Sequence, residues 1–592
     1  MLAKSKPRTD LSGEPERVLD APTYEGFSIR PLYTALDSRP EAPLPGRWPF
    51  VRGGDALRDV TAGWKVAEAF PAAGQAAAGE LNGAVLLALT EGVSALMIRV
   101  GEAGVAPGDV DRLLEGVFLE LVPIVVDAGA DYFAAAGAVL ALAARVDDDK
   151  HSMLSIDLGA DPLTATLNDR PAPSLEDVLE IASRAGGYRG GVRAITVDGP
   201  AFHNRGANAS WELAASIAAG VAYLRALSAL TAPQALRQIS FRLAADDDQF
   251  MTIAKFRAVR QLWARVAEVA GASGAGAVTL HAVTSLSMMT QRDPWVNMLR
   301  TTVAAFGAGI GGADTVLVEP FDVAIPGGAP GASPGFSRRI ARNTQLLLLE
   351  EANIGRVVDP AGGSWYTEDL TETLAQQAWR HFQAIESRGG FVEAHDFIAA
   401  ELAAVRDKRI DDIAHRRTEI TGVNEYPNLA DPPLPRTGNP TGVRTYAADF
   451  EALRDRSDVY LQRTGSRPRV LLLPLGPLAE HNIRVTFTTN LLASGGIEAV
   501  NPGPIEQAAI PAAVEQAGSP AVAVICGTDD RYSAELAGVV AAAHAAGVST
   551  VYLAGPQKAV ADVEQSHLPD DFLTAAIDAV HVLSNLLSRL GA

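Results

Sequence analysis

The chain has 592 residues, of which 48% are apolar and 20% charged, which suits a globular protein of two or three domains. Its net charge of −20 argues against a nucleic-acid binder, because no basic excess is present to neutralise phosphates. The single cysteine, Cys526, excludes an internal disulfide and a cysteine-based metal cluster. There is no apolar targeting segment and no run long enough to cross a bilayer, so we expect a cytoplasmic protein without a membrane partner.

The first 60 residues are rich in proline and arginine and lack the periodicity of helices and strands. They nevertheless carry aromatic residues and leucine, as in TYEGFSIRPLYT (23–34) and PLPGRWPF (43–50), which is unusual for a disordered tail. We therefore predict that residues 1–60 form an arm that contacts a partner subunit.

Between residues 61 and 415, short apolar runs alternate with Ala-rich helical segments. Continuous apolar strands that alternate with helices indicate a parallel sheet covered on both faces, and eight such units predict a (β/α)8 barrel of the TIM type. Long helical segments from about 338 to 415 complete this domain. The predicted strands are 62–69, 93–100, 121–127, 153–157, 192–199, 238–244, 278–283 and 314–320.

The stretch EYPNLADPPLPRTGNPTG (425–442) is crowded with proline, glycine and asparagine and marks a linker, which we place at 416–465. The sequence RVLLLPL (469–475) then begins a second series of strands and helices. This series predicts a smaller doubly wound, flavodoxin-like sheet at 466–592, where ligands sit at the carboxyl ends of the strands. The predicted fold class is therefore α/β, with a barrel and a second parallel sheet.

Four stretches of the sequence are distinctive: LWARVAEV, TQRDPWVNMLRTTVAAFGAGIGGADTV, FSRRIARNTQLLLLEEANIGRVVDPAGGSWYTEDLT and ITGVNEYPN. They resemble the adenosylcobalamin-dependent methylmalonyl-CoA mutase family, and the similarity runs from about Tyr24 to the C-terminus. The resemblance implies a substrate barrel followed by a cobalamin-binding domain. It also leaves a choice, since one subgroup is a heterodimer of a catalytic large subunit and a non-catalytic small subunit.

The family's cobalamin motif, Asp-x-His-x-x-Gly, is broken in this chain. The matching stretch keeps His481, whose counterpart binds the cobalt, but has Ala479 in place of the Asp that orients it. Arg484 replaces the Gly that lets the backbone pass close to the cofactor. Two later family elements are also changed, to Cys526-Gly527-Thr528 and to Ala554-Gly555. We therefore predict no cofactor and no metal on this chain, and we interpret His481 as an exposed, vestigial loop residue.

The family's catalytic groups in the barrel are missing as well. Catalytic members have a Gly-Tyr-His stretch ahead of Gly-Ala-Asn-Ala, and alignment through GANA (206–209) places Pro200 at the Tyr and Ala201 at the His. That His hydrogen-bonds the substrate thioester carbonyl, and Ala201 has no donor with which to do so. His203 could take the role only if the loop were aligned with a gap, and we interpret it as a polar loop residue.

Other candidate sites in the sequence are weaker. The segment RWPFVRGG (47–54) has no tyrosine where catalytic members have one, and Arg170 is a candidate for substrate binding by proximity alone. The acidic clusters DDDK (147–150) and DDDQ (246–249) lack the ligand spacing of a calcium loop and are interpreted as solvated turns. No serine and histidine have a spacing that indicates a nucleophile and its base.

These residues favour the small, non-catalytic subunit of a heterodimeric enzyme that interconverts (R)-methylmalonyl-CoA and succinyl-CoA in propionate metabolism. The expected partner is the large catalytic subunit, which would bind the adenosylcobalamin. Two alternatives stay open: a catalytically active acyl-CoA mutase chain that binds its own cobalamin, and a free-standing acyl-CoA or cofactor-handling binding protein.

Overall fold

A computed structural model describes residues 15–72, 78–102, 104–168, 170–188, 190–435 and 438–592. Residues 1–14 of the predicted arm and 436–437 of the predicted linker lie outside the described residues. Two compact units are present. The barrel unit takes the described residues within Met1–Ser287, Met298–Phe321 and Ala332–Arg406, and the C-terminal unit takes those within Met288–Asn297, Asp322–Gly331 and Asp407–Ala592. No helix of the described residues is long and apolar enough to cross a membrane.

Eight parallel strands close into a barrel in the barrel unit, as the alternating pattern predicted. Most of these strands are buried apolar runs, as expected when helices cover a parallel sheet. The last strand pairs with both the seventh and the first, so the barrel has no free edge. In chain order the strands are β1 Lys65–Phe70, β2 Ala95–Arg99, β3 Ile124–Asp127, β4 Ser155–Ala160, β5 Gly191–Asp198, β6 Ile239–Ala245, β7 Leu280–Thr284 and β8 Thr315–Leu317.

Side-chain caps fix where several long helices begin. Asn208, Asp248 and Ser364 each accept a hydrogen bond from a backbone N–H in the first turn of the helix that follows. The α-helices of the described chain are α1 Ala78–Thr90, α2 Val110–Leu113, α3 Tyr132–Ala143, α4 Pro162–Ala165, α5 Leu175–Ala185, α6 Gly199–His203, α7 Ala209–Ala226, α8 Ala232–Arg237, α9 Gln249–Val269, α10 Trp295–Ile310, α11 Pro334–Leu346, α12 Trp365–Glu386, α13 His395–Ala414, α14 Ala448–Thr464, α15 Leu478–Ser494, α16 Ile510–Gln516, α17 Asp529–Ala545 and α18 Ala579–Arg589.

The described part of the arm packs on the barrel unit of its own chain. The buried Glu25 carboxylate accepts hydrogen bonds from the backbone N–H groups of Ala209 (3.0 Å) and Ser210 (2.7 Å) at the start of α7. The side chain of Asn208 donates to the carbonyl of Tyr24 (2.6 Å) while it caps the same helix. The GANA stretch that resembles the family thus anchors the arm to the N-terminus of α7, where a negative charge is favourable.

The C-terminal unit contains a five-stranded parallel sheet in the order β10-β9-β11-β12-β13. Its strands are β9 Arg469–Pro474, β10 Glu498–Val500, β11 Val522–Cys526, β12 Thr550–Ala554 and β13 Asp571–Leu573. Two apolar clusters pack in this unit. One joins the sheet to α14, α15 and α18, and the other joins it to α16 and α17.

Part of the range predicted as a linker, 416–465, is helical. The helix α14 contributes the buried Phe450 and Leu453 to the apolar core of the C-terminal unit. Its Asp458 carboxylate also receives a hydrogen bond from Arg292 (2.6 Å), which lies in the TQRDP stretch. Buried apolar and charged contacts therefore make this helix a part of the folded C-terminal unit.

Candidate functional site

Charged side chains gather near the carboxyl ends of the barrel strands, where barrel enzymes place their chemistry. Arg242 of β6 donates from Nε to Asp198 Oδ1 at the end of β5 (2.8 Å). Arg170 donates to Asp127 Oδ1 at the end of β3 (2.8 Å) and to Asp198 Oδ2 (3.4 Å). The two arginines and two aspartates thus form one network of ion pairs, and Arg170 belongs to it.

Asp161, directly after β4, extends this network below the surface. Its carboxylate accepts hydrogen bonds from the Tyr223 hydroxyl (2.6 Å) and from the backbone N–H of Asp198 (2.7 Å). Burial raises the pKa of Asp161 to about 6. Burial alone would also raise the pKa of Asp127, but nearby arginines, with Arg170 the strongest, hold it below its ordinary value.

The cleft lined by this network has a volume of about 40 Å³. Such a volume holds a few water molecules at most and is far below the several hundred Å³ of a typical ligand pocket. The charged groups that line this one cleft therefore bind one another and leave no room in it for an organic substrate.

A second charged cluster fills part of the barrel interior. Arg193 of β5 donates to both carboxylate oxygens of Asp157 on β4, at 2.6 and 2.9 Å. His281 of β7 lies with Nε2 3.2 Å from Asp157 Oδ2, and its Nδ1 is 2.7 Å from the hydroxyl of Thr315 on β8. Since β4 and β7 are not neighbours in the barrel, Asp157 and His281 meet across its interior.

The pKa of Asp157 shows that its carboxylate interacts strongly with Arg193 and His281. Complete burial would raise the pKa of its carboxyl group, but the charge of Arg193 and the imidazole of His281 together push that pKa far below the ordinary value. Asp157 is therefore ionised and paired. This cluster could not be predicted from the sequence, because Asp157, Arg193 and His281 lie on three strands that are distant along the chain.

The position aligned with the family's catalytic histidine is filled by a buried methyl group. Ala201 lies within α6 and is 2% exposed. Its side chain has no hydrogen-bond donor, as expected from the sequence. The tyrosine-free segment 47–54 packs elsewhere in the barrel unit, where the Trp48 indole N–H donates to the carbonyl of Ala264 in α9 (3.3 Å).

His203 lies at the end of α6 and is buried, so its interpretation as a polar loop residue is wrong. Its Nε2 is 2.7 Å from the hydroxyl of Ser285, and its Nδ1 is 3.7 Å from the Glu212 carboxylate. This serine–histidine–carboxylate order resembles a hydrolytic triad, which the sequence did not indicate because 82 residues separate Ser285 from His203.

The geometry of these three residues argues against hydrolysis. All three side chains are buried, and the Glu212 carboxylate is engaged by Lys255 Nζ at 2.7 Å rather than closely by the imidazole. Burial would raise the pKa of Glu212, but Lys255 and His203 lower it to about 2. The group therefore acts as a buried structural cluster in which the Glu212 carboxylate is paired with Lys255.

A larger cleft of about 420 Å³ lies at the amino ends of the barrel strands. Lys65 and Ser155, which begin β1 and β4, line it together with Arg52, Arg58 and Arg260. Arg58 and Arg260 both donate to backbone carbonyls, of Ala313 (3.0 Å) and Val278 (3.1 Å) respectively. This cleft has the volume of a small-ligand pocket, but Asp55, Asp59, Glu120 and Asp314 line it as well, so its basic side chains are matched by acidic ones.

In the C-terminal unit, His481 is neither exposed nor in a loop. It is the fourth residue of α15 and is 2% exposed, because the helix begins at Leu478 and turns this position toward the sheet. Its Nδ1 donates to the carbonyl of Gly476 (3.0 Å), whereas Ala479 is exposed to solvent. Glu480 points to Arg531 instead, with 2.6 Å between its Oε2 and Arg531 Nε.

Arg484 occupies the crevice at the carboxyl ends of β11 and β12. Its Nη1 donates to the carbonyl of Gly527 (2.6 Å) and its Nη2 to Asp529 Oδ1 (2.5 Å). The guanidinium carbon lies 4.7 Å from the centre of the Tyr532 ring. A Cβ atom placed on Gly555, after β12, would be only 3.2 Å from Nη1.

The cobalamin that the resemblance implies needs open space in this crevice and a histidine held for the metal. Here the guanidinium of Arg484 fills the space between the strand ends, and Gly476 in place of a carboxylate holds the His481 imidazole. Burial also raises the pKa of the Cys526 thiol to about 12, so it offers no thiolate. The residues present do not fit the cofactor.

The closed parallel barrel, with its internally paired charges, and the five-stranded parallel sheet define an α/β protein with two parallel-sheet units. The chain belongs to the methylmalonyl-CoA mutase family, because the family model described as "Methylmalonyl-CoA mutase" matches its residues 97–462. The family resemblance in the sequence is thereby confirmed.

Relatives with small-subunit names match nearly the whole chain. The "Probable methylmalonyl-CoA mutase small subunit" of Mycobacterium tuberculosis is 68% identical over 598 residues, covering 100% of this chain and 96% of the relative. The "Methylmalonyl-CoA mutase small subunit" of Streptomyces virginiae is 44% identical, covering 98% of this chain and 94% of the relative. Its namesake from Propionibacterium freudenreichii subsp. shermanii is 34% identical, covering 96% and 89%.

Proposed function

We propose that this chain is the small, non-catalytic subunit of a heterodimeric methylmalonyl-CoA mutase and the structural partner of the large catalytic subunit. In this assembly the large subunit binds adenosylcobalamin and interconverts (R)-methylmalonyl-CoA and succinyl-CoA. The names and full-length similarity of the relatives support the subunit assignment. A cytoplasmic location accords with a single, buried cysteine.

The ion-pair network at the carboxyl end of the barrel is the observation that carries the non-catalytic role. Asp127, Asp198, Arg170 and Arg242 are paired with one another, and their cleft of about 40 Å³ is too small for an acyl-CoA. Ala201, in the adjacent α6, offers no group to polarise a thioester carbonyl. A fold can be retained for stability and assembly after its site has decayed.

We assign four parts to the chain: an arm at 1–60, the barrel with its following helices at 61–415, a region at 416–465 whose helix α14 packs into the core of the next part, and a degenerate cobalamin-binding-like domain at 466–592. The flavodoxin-like assignment of the last part is supported by its strand order. Numbered along the sequence, its five parallel strands lie in the order 2-1-3-4-5, which is the flavodoxin-like order.

Exposed leucines support a role of the arm in subunit pairing. Leu32, Leu36, Leu44 and Leu57 are all more than half exposed, and Leu36 is 97% exposed. Such side chains, clustered in one segment, are typical of a surface that a partner covers. Because Glu25 fixes the described arm to α7, these leucines are presented on a supported segment rather than a loose tail.

Co-purification tests the proposal. The chain and a large-subunit relative with intact Asp-x-His-x-x-Gly and Gly-Tyr-His motifs are expressed together, and only this chain carries an affinity tag. A one-to-one complex with mutase activity is expected, while the isolated chain is inactive. If the tagged chain is isolated without the large subunit, although the large subunit is expressed and soluble, the proposal is contradicted.

A cobalamin titration separates the subunit from an active mutase chain. The isolated chain is mixed with cobalamin, passed through a size-exclusion column and examined by absorbance in the visible range. We expect it to elute colourless and the colour to appear only with the large subunit. Stoichiometric cofactor with an imidazole-on-cobalt spectrum would identify His481 as a ligand and favour the active-enzyme alternative.

The cleft at the amino ends of the strands favours one second candidate, an acyl-CoA-binding protein. Its volume of about 420 Å³ suits a small ligand, and Arg52, Arg58 and Lys65 could pair with a phosphate, although four carboxylates line the same cleft. Equilibrium dialysis of the isolated chain with radiolabelled succinyl-CoA tests it. Saturable binding that R58A abolishes would support this candidate, and the absence of binding would leave the subunit role alone.

A further inference from the structure

The Arg484 side chain occupies the crevice at the carboxyl ends of the C-terminal sheet and makes there the kinds of contact that a bound ligand would make. The guanidinium of Arg484 combines two charge-assisted hydrogen bonds, to Gly527 O and Asp529 Oδ1, with stacking on an aromatic ring. These are the contacts by which proteins recognise a free guanidinium compound.

The floor of this crevice is rigid. Tyr532, on which Arg484 stacks, is fully buried, and its hydroxyl donates to Ala554 O (2.8 Å) and accepts from the Gly527 N–H (2.9 Å). It therefore joins the end of β11 to the end of β12. Burial raises the pKa of Tyr532 to about 12, so the ring remains a neutral phenol beneath the cation.

Glycine at position 555 allows the guanidinium to lie against the backbone, since a Cβ there would lie 3.2 Å from Arg484 Nη1 and 3.4 Å from Tyr532 Cε2. Any ligand in this crevice would have to displace Arg484 from two hydrogen bonds and from the ring. The side chain is attached to α15 in the same unit, so its effective concentration at the site is high.

We infer that Arg484 is a tethered internal ligand: it occupies the sheet's ligand crevice, joins α15 to the ends of β11 and β12, and stabilises the C-terminal unit as a bound ligand would. The crevice vacated by its removal is a binding site for small planar guanidinium cations. This inference concerns the C-terminal unit alone and holds whether or not the chain pairs with a large subunit.

Chemical rescue of the full-length R484A variant tests the inference. Hydrogen–deuterium exchange is followed by mass spectrometry in peptides that cover 522–532 and 550–556, which contain the Gly527 and Gly555 amides. We expect exchange in R484A to be faster on the order of tenfold, because Gly527 O loses a charge-assisted hydrogen bond and the guanidinium no longer covers the backbone at Gly555. Millimolar methylguanidinium should restore slow exchange in R484A and leave the unsubstituted chain unchanged.

The matched control is R531A. Arg531 lies in the first turn of α17, near the same strand ends, and pairs with two carboxylates, Glu480 and Glu535, but its side chain is 36% exposed. Its loss should change exchange in these peptides less than R484A does, and methylguanidinium should have no effect on it. Equal concentrations of sodium chloride control for ionic strength.

Two results would overturn the inference: exchange in R484A that matches the unsubstituted chain, or faster exchange that methylguanidinium does not restore. If R484A fails to fold, R484K serves instead. Lysine keeps the charge but lacks the planar fork that reaches Gly527 and Asp529 together. It should melt at a lower temperature than the unsubstituted chain, and an unchanged melting temperature would also overturn the inference.

Discussion

Asp157 of β4 and His281 of β7 approach each other across the interior of the barrel, with 3.2 Å between Asp157 Oδ2 and His281 Nε2. Together with Arg193 they place an ion cluster where many barrels hold only apolar side chains. The contact couples two strands that share no hydrogen bonds and that β5 and β6 separate in the barrel wall.

Replacement of Arg193 by methionine should destabilise the barrel unit by about 3–5 kcal/mol, because Asp157 would stay buried without its strongest partner. Urea unfolding followed by tryptophan fluorescence measures this effect, since Trp64, Trp211 and Trp263 are buried in the barrel unit. R39A removes an exposed ion pair with Asp369 and should cost about 1 kcal/mol or less.

The double variant D157L/R193M refines this prediction. Both members of the pair become apolar, so no unpaired charge remains, and much of the stability lost in R193M should return. If R193M unfolds as easily as R39A, or if the double variant is less stable than R193M, the assigned role of the cluster is wrong.

Asp161 should make the barrel unit less stable as the pH rises from 4 to 6. Its pKa is about 6 in the folded chain against an ordinary value of 3.8, so the folded state binds more protons within this window. The stabilising contribution is present below the unfolded pKa and is lost as the pH rises through the folded pKa. The shift corresponds to about 3 kcal/mol.

Comparison with D161N isolates this contribution, because all other titrating groups are shared and cancel in the difference. Unfolding free energies of both proteins are measured in urea between pH 4 and pH 7. The stability of the unsubstituted chain relative to D161N should fall by about 3 kcal/mol over this range. A difference that is constant, or that grows with pH, would contradict the buried, protonated carboxyl.

Ser285 should not react with a fluorophosphonate probe, although its hydroxyl lies 2.7 Å from His203 Nε2. The serine is buried and Lys255 engages the carboxylate that a triad would need. S285A should instead destabilise the barrel unit by about 1–2 kcal/mol, since it removes a hydrogen bond of a buried imidazole. Stoichiometric labelling of the folded chain, absent in S285A, would show a reactive nucleophile.

Replacement of Glu25 by glutamine should loosen the arm. Glutamine keeps one acceptor oxygen but loses the negative charge at the N-terminus of α7, at a cost of about 1 kcal/mol. Proteolytic cleavage within residues 15–60 should then be about fivefold faster, when opening is at equilibrium. E41Q is the control, because the Glu41 side chain is 82% exposed and its loss should not alter cleavage.

The strands of the barrel and of the second sheet could be predicted because their local patterns agree with the fold. Runs such as ALMIR in β2 and VAVIC in β11 are apolar on both faces, which is typical of parallel strands beneath helices. That Ala201 has no hydrogen-bond donor and Ala479 no carboxylate follows from residue type alone; that these positions mark a lost site stays a prediction.

The ion pairs and hydrogen bonds at the carboxyl ends of the two sheets could not be predicted in the same way. Asp198 and Arg242 are 44 residues apart, and Arg484 and Gly527 are 43 apart, so their pairing depends on strand register and helix orientation. His481 was misplaced for a related reason: one helical turn decides whether that position faces solvent or the sheet. Composition likewise suggested a linker where α14 folds into a core.

Closure of the barrel by β8 has a consequence for the order of events during synthesis. Thr315 of β8 pairs with Lys65 of β1. The edge of β1 that pairs with β8 therefore has no partner until 250 further residues have been synthesised. At translation speeds of about 5–20 residues per second, this delay is roughly 12–50 s. Throughout that interval the nascent chain displays an unpaired strand edge, which is a template for aggregation. Its yield in a cell should therefore respond to chaperones that shield open sheets more than to changes in the final stability of the barrel.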